Sequence, residues 1–283
     1  MYVYCNGSLY PAHQAVVSVL DHGFLYGIGL FETMRVYNGR LFLWQKHYDR
    51  LAAGLAALRI QAPWSAAELA AIVLKTVKAN ALDDAYVRLS ITAGEEGVGL
   101  TAEGYARPSL FVFAKSVAPL SDPPQPKRLQ TLKLARQTPE GVERFKSHNY
   151  LNNALARQEL GAQADLEGLF LTRDGFIAEG IVSNLFWVTG GRLYTPSLDT
   201  GILNGVTRQH VLKLAEKLSL PAEEGLYNLE AVKKADEVFI TNSVQEIVPV
   251  CEIDGQAVPV VYGKYTRKLH RAYRQSVASE VHL

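Results

Sequence analysis

Two stretches of this sequence carry residues that could do covalent chemistry together. One reads Phe145-Lys146-Ser147-His148-Asn149-Tyr150-Leu151-Asn152-Asn153, and a later one reads Ala178-Glu179-Gly180-Ile181-Val182-Ser183-Asn184. Lysine attacks carbonyl groups once its amine is neutral, and apolar neighbours such as Phe145, Tyr150 and Leu151 favour the neutral form. The spacing predicts that Lys146 opens an apolar helix and that Glu179 sits in a tight strand turn. An amine that can hold an aldehyde as an imine, and a carboxylate that can keep a pyridine nitrogen protonated, are the two groups that pyridoxal phosphate (PLP) chemistry asks of a protein. Taken singly, each has a plainer reading: a surface lysine at a helix start, and an exposed turn glutamate.

Further segments suit a phosphate. Arg50, in Lys46-His47-Tyr48-Asp49-Arg50-Leu51, lies on the polar side of a predicted helix and could clamp a phosphate with its fork, or simply be solvated. The run Gly201-Ile202-Leu203-Asn204-Gly205-Val206-Thr207-Arg208 is a glycine-bracketed loop opening a helix, where backbone donors and the dipole favour an anion. Its plainer reading is a helix start capped by Asn204. Thr241-Asn242-Ser243 ends a predicted strand and offers small polar donors, or a turn. The stretch from Asp21 to Glu32 is glycine-rich but contains no G-x-G-x-x-G, and reads as a tight loop entering a strand at Thr33–Tyr37. His22, His47 and His148 are too scattered for a metal site, and structural roles are expected for all three.

The elements that must position these residues follow from periodicity. A hairpin is expected around Asn6-Gly7, and a helix over 44–60, where Trp44, Tyr48, Leu51, Leu55 and Leu58 recur at threes and fours. Ser65 with Glu68 fits a capping box for a helix running to about Ala79. Strands are expected at Tyr86–Thr92, with Val87, Leu89 and Ile91 on one face and Arg88, Ser90 and Thr92 on the other, and at Ser109–Val117. Later strands fall at Leu129–Ala135, Leu169–Leu171, Phe176–Ala178, Asn184–Val188, Arg192–Tyr194 and Val238–Thr241, with a hairpin at Glu252–Val258 and helices at Val206–Leu218 and Tyr265–Val277.

Four of the 12 prolines fall between Ala118 and Pro126. Proline removes a ladder donor and biases its neighbour toward extended backbone, so residues 119–126 are expected to link a smaller domain over 1–118 to a larger one over 127–283. The first reads as α+β, the second as a barrel or strongly curved sheet with helices outside. The 283 residues are 48% apolar and 20% charged, an ordinary globular composition. Lys+Arg 29 against Asp+Glu 28 leaves a net charge of +1, which gives no electrostatic footprint for nucleic acid. No apolar run is long enough to span a membrane. Two distant cysteines and the absence of a signal-like start point to a reducing, cytoplasmic location.

Jointly, these segments make the chain similar to the class IV aminotransferase family, the fold-type IV PLP enzymes. Phe24–Glu32, His47–Leu51, Lys146, Glu179 with Ser183-Asn184, Gly205–Arg208 and Thr241–Ser243 all match segments of that family. The resemblance implies a two-domain α+β fold and PLP bound covalently at Lys146. Arg50, Tyr150, Glu179, Val206, Thr207, Asn242 and Ser243 would bind the cofactor, and Phe31 and Arg88 would face a small-molecule substrate. It also implies a homodimer. Within the family the chain most resembles bacterial aminodeoxychorismate lyases, at Asp21–Glu32, Thr138–Gly141, Lys146–Asn153 and Tyr194–Leu203. Aminotransferases acting on D-amino acids or branched-chain amino acids are the alternative. The D-amino acid enzymes trap a carboxylate with an arginine and a histidine in the loop after the Tyr86–Thr92 strand, where this chain has Val98 and Leu100.

Overall fold

Alternation along the first long strands sorts side chains onto two faces, and in the computed structural model, which describes residues 1–141 and 143–281, this sorting builds the first of two units. That unit comprises Met1–Ala118, Phe145–Asn149 and the last residues from Ser279. Its elements are β1 (Tyr2–Cys5), β2 (Ser8–Pro11), α1 (His22–Leu25), β3 (Gly29–Tyr37), β4 (Arg40–Leu41), α2 (Trp44–Ala57), α3 (Ala66–Ala79), β5 (Ala85–Thr92) and β6 (Ser109–Ser116). The strands form one antiparallel sheet in the order β2-β1-β6-β5-β3-β4. Leu30, Met34, Val87, Leu89 and Ile91 pack with Leu51 and Leu55 of α2 and Leu69, Val73 and Val77 of α3. Phe31, Arg88 and Ser90 lie on the other face by the same alternation.

Local chemistry sets the ends. The β1–β2 turn places Asn6 and Gly7 both at positive φ, 43° and 102°, as a two-residue turn that matches strand twist requires. Ser65 accepts from the Glu68 amide while the Glu68 carboxylate accepts from the Ser65 amide, which is the capping box the sequence predicts. β3 begins at Gly29 rather than Thr33. Helix α4 begins at Leu151, so Lys146 does not open a helix. Instead Phe31 N donates to Lys146 O at 2.9 Å and His148 N donates to Gly29 O at 3.0 Å. The segment extends the open edge of β3, because β4 pairs only with its far end.

The second unit comprises Pro119–Arg144 and Tyr150–Ala278. It contains β7 (Lys127–Thr131), α4 (Leu151–Leu160), β8 (Leu166–Leu171), β9 (Ile177–Gly180), β10 (Asn184–Thr189), β11 (Arg192–Pro196), α5 (Val206–Lys217), β12 (Ala222–Gly225), α6 (Leu229–Lys233), β13 (Glu237–Asn242), β14 (Glu246–Ile253), β15 (Gln256–Ala257) and most of α7 (Lys264–Val281). The sheet order is β12-β11-β10-β13-β14-β7-β8-β9, with β15 on β14. Pairing is parallel at β11–β12, β14–β7 and β7–β8. β9, at one end, returns against β10 and β11, so the sheet curls strongly. The architecture is therefore α+β with the curved second sheet the sequence implies. β7 stops at Thr131, short of the expected Ala135. Glu179 lies within β9, not in a turn, and is buried.

On α5, His210 stacks edge-on to Tyr273 of α7, with ring centroids 5.5 Å apart. Burial, then the charges of Lys213 and Lys217, push its pKa down to about 4 from 6.5. The unfolded chain therefore binds a proton here that the folded chain refuses. This contribution lowers stability as pH falls from about 6.5 to about 4, and is absent above that window. His210→Phe should unfold thermally with a shallower pH dependence between pH 6.5 and 4 than the parent protein. Equal slopes in scanning calorimetry would contradict the assignment.

Candidate active site

In the second unit the site is built around Glu179, which is 4% exposed. Its Oε1 accepts from Arg136 Nε at 2.9 Å, and its Oε2 accepts from Asn184 Nδ2 at 3.2 Å and from the Leu203 amide at 3.1 Å. Arg144 Nε lies 3.9 Å from Oε1. Arg136 is itself buried, donates to Asn152 Oδ1 at 2.8 Å and lies over the Phe170 ring at 5.1 Å. Burial, then repulsion from Arg136, lowers the Arg144 pKa to about 10. Arg136 and Arg144 carry no local signature in the sequence, and only the folded chain brings them to Glu179.

Asn184 opens β10, pairs with Thr241 of β13, and also donates to Leu203 O at 2.9 Å. This ties the carboxylate to the loop that feeds α5. The N-cap of that helix is Gly205, not Asn204, and no side chain caps it. A Cβ at Gly205 would collide with Asn184 Oδ1, so the close approach requires glycine. The first helical residues, Val206 and Thr207, are buried, and the Thr207 hydroxyl lies 3.4 Å from that of Ser243. Asn242 Oδ1 accepts from the amides of Val244 and Gln245 at 3.0 and 2.8 Å, which holds the 242–245 turn in place. The hydroxyls of Ser183 and Thr241 are buried without a hydrogen-bond partner among the described residues. An uncapped helix end and the two adjacent hydroxyls of Thr207 and Ser243 make a donor set that suits a phosphate. Tyr150 is the N-cap of α4 and is 39% exposed.

In the first unit, Lys146 Nζ lies 4.6 Å from the Phe31 ring centroid and the Arg88 guanidinium lies 3.6 Å from it. Arg88 Nε also donates to Ser90 Oγ at 3.2 Å. Phe31, Arg88 and Lys146 thus gather on the face away from the helices. Arg50 lies on the other face: its Nε and Nη2 donate to the two oxygens of Glu32 at 2.8 and 2.6 Å. His47 Nδ1 also meets Glu32 Oε2, at 2.6 Å. Burial opposes ionisation of Glu32, yet Arg50 and His47 together hold its carboxyl at about 2. Sequence reasoning gave Glu32 no role. Its signal is a lone charge within an otherwise apolar strand half. Among the described residues no group of three His, Cys, Asp or Glu could hold a metal ion.

Residues 29–253 match the family described as amino-transferase class IV. Aminodeoxychorismate lyase of Bacillus subtilis (strain 168) is 43% identical over 282 residues, covering 99% of this chain and 96% of that protein. The Escherichia coli branched-chain amino acid aminotransferase superposes with a TM-score of 0.88 at 29% identity, over 97% of this chain and 93% of that one. The branched-chain aminotransferase of the thermophilic archaeon Thermoproteus uzoniensis, solved with norvaline, gives 0.88 at 31% identity, over 99% and 95%.

If the α5 end receives a phosphate, Gly205→Ala, whose Cβ would push the helix end off Asn184, should weaken PLP binding by about tenfold or more, the equivalent of one charge-assisted hydrogen bond. Titration of the apoprotein with PLP measures this. An unchanged dissociation constant would remove the helix end from the binding site.

Proposed function

Because the chain belongs to the class IV aminotransferases, we propose that it is a PLP-dependent lyase that converts 4-amino-4-deoxychorismate to 4-aminobenzoate and pyruvate, a step of folate biosynthesis. The observation that carries this reading is the 43% identity, over almost the whole of both chains, with a lyase of that name. The second reading is an aminotransferase of D-amino acids or branched-chain amino acids, favoured by the likeness to the aminotransferase structures.

The residues present fit the cofactor. Gly205, Val206, Thr207 and Ser243 would hold its phosphate; Arg50, the further phosphate candidate, is held by Glu32 within the first unit. Backbone near Asn242 would assist, and Tyr150 would contribute from the start of α4. Bound PLP supplies an aldehyde for covalent attachment and a ring that accepts the electron pair of a broken bond. Glu179 would keep the ring nitrogen protonated, and Arg136, Asn184 and the Leu203 amide fix that carboxylate. Lys146 would provide the attachment amine and would be the base for the proton on the carbon bearing the substrate amine. Loss of that proton, with departure of the enolpyruvyl group as the enol of pyruvate that then ketonises, would leave an aromatic ring. An aminotransferase would use the same lysine and carboxylate, so the difference lies in the substrate pocket. There Phe31 and Arg88 face the substrate. Val98 and Leu100 are 84% and 75% exposed, and their side chains offer no donors for the carboxylate of a small amino acid.

The same loop bears on assembly. His22 Nε2 contacts Gly97 O at 2.8 Å and the Gly99 amide donates to Tyr26 OH at 2.9 Å. Loop 94–100 therefore rides on the 21–26 segment, where Phe24 is 68% exposed. This apolar outcrop suits a homodimer contact. No helix among the described residues is long and apolar enough to cross a membrane. The two unpaired cysteines suit a cytoplasmic enzyme.

Holoenzyme supplied with aminodeoxychorismate should release fluorescent 4-aminobenzoate, and should transaminate D-alanine or leucine poorly. Efficient transamination without aminobenzoate would replace the lyase reading with the second one. Glu179→Gln should lower turnover by roughly 10²–10⁴-fold. Full activity in that variant would exclude the role given to Glu179.

A further inference from the structure

Helix α5 carries a buried cation in the turn where helix electrostatics least favours one. Arg208 is the third residue of the helix, after Val206 and Thr207, and its side chain is 2% exposed. A positive charge near a helix N-terminus opposes the helix dipole, and a buried guanidinium needs counter-charge. Its Nη2 donates to Pro196 O at 2.9 Å and to the Glu224 carboxylate, and its Nη1 donates to Asn204 Oδ1 at 3.4 Å. Its Nε is buried and has no hydrogen-bond partner among the described residues. The paired carboxylate does not cancel the charge evenly. The Glu224 side chain is 44% exposed, so water and salt screen it, while the buried guanidinium is screened far less. The pair therefore leaves a net positive potential on the buried side. That side is the helix end: Asn204, which takes the Nη1 bond, precedes the N-cap Gly205, where a Cβ would lie 3.5 Å from Arg208 Cβ. The other groups described at that end, the uncapped amides and the hydroxyls of Thr207 and Ser243, are neutral donors. They can align on an anion but bring no formal charge to balance it.

Resting on the reading of the α5 end as the site of the cofactor phosphate, we propose that Arg208 is a positioning residue that supplies this site with positive charge from behind. It acts through Asn204 and across the first helical turn, without touching the phosphate. Glu224 sets how much of that charge the anion feels. The effect of Arg208 falls on ligands that carry the phosphate and spares those that lack it.

The test titrates apoprotein with PLP and, separately, with pyridoxal, which lacks the phosphate, and reads the ratio of the two dissociation constants. The parent protein should prefer PLP. Arg208→Gln should lower that preference by about tenfold, as for one poorly screened charge near the anion, with pyridoxal affinity unchanged. Glu224→Gln keeps an acceptor for the guanidinium but removes the counter-charge, and should raise the preference severalfold. A merely structural tie between α5 and β12 would give the opposite sign, because loosening it from either end weakens binding. A preference unchanged or lowered in Glu224→Gln, or equal weakening of PLP and pyridoxal in Arg208→Gln, overturns the role of Arg208. Should Arg208→Gln fail to fold, the sign of the Glu224→Gln change decides alone. The two readings fail separately. A parent protein that binds pyridoxal as tightly as PLP removes the phosphate site, and the role of Arg208 with it. A parental preference for PLP that Glu224→Gln leaves unchanged removes the role of Arg208 and leaves the phosphate site.

Discussion

A carboxylate taken out of water costs several kcal/mol unless the surrounding chain supplies donors, and Glu179 is such a group. Its donors come from three separate segments: Arg136 from the loop after β7, Asn184 from the first position of β10, and the Leu203 amide from the loop before α5. Satisfying one buried group therefore fixes where three segments run. Asn184 passes the constraint on, because its amide also holds Leu203 O and its side chain lies so close to Gly205 that no Cβ fits. The N-terminus of α5, and with it Thr207, is placed as a consequence.

The first unit solves a related problem with one strand. Alternation along β3 sends Phe31 to one face and Glu32 to the other. Glu32, buried under α2, needs partners and takes them from His47 and the Arg50 guanidinium, three apart on that helix and hence on one side of it. Phe31 meanwhile serves as a floor for Arg88 and Lys146. A shift of register by one residue would exchange these two roles, and eight consecutive pairings of β3 with β5 hold the register.

Much of this was legible locally. The Asn6-Gly7 turn, the Ser65–Glu68 capping box and the alternating faces of β5 follow from neighbouring residues, and the structure has them where spacing puts them. The candidate residues of the site were legible as short segments. What escaped is whatever depends on pairing across the chain. Lys146 reads as a helix start because an apolar run follows it, but the edge of β3 captures residues 146–148 and delays the helix to Leu151. Glu179 reads as a turn residue because Gly180 follows it, yet strand pairing with β8 and the distant Arg136 make it a buried strand residue. Arg136 and Glu32 were invisible as site residues, since their meaning lies in partners 43 and 18 positions away.

The central claim is that Lys146 carries the cofactor. Purified holoenzyme reduced with borohydride, digested and mapped by mass spectrometry tests it most directly. The account predicts a phosphopyridoxyl group on the peptide containing Lys146 and loss of that label in Lys146→Ala. Label on a different lysine, or label that persists in Lys146→Ala, would contradict it.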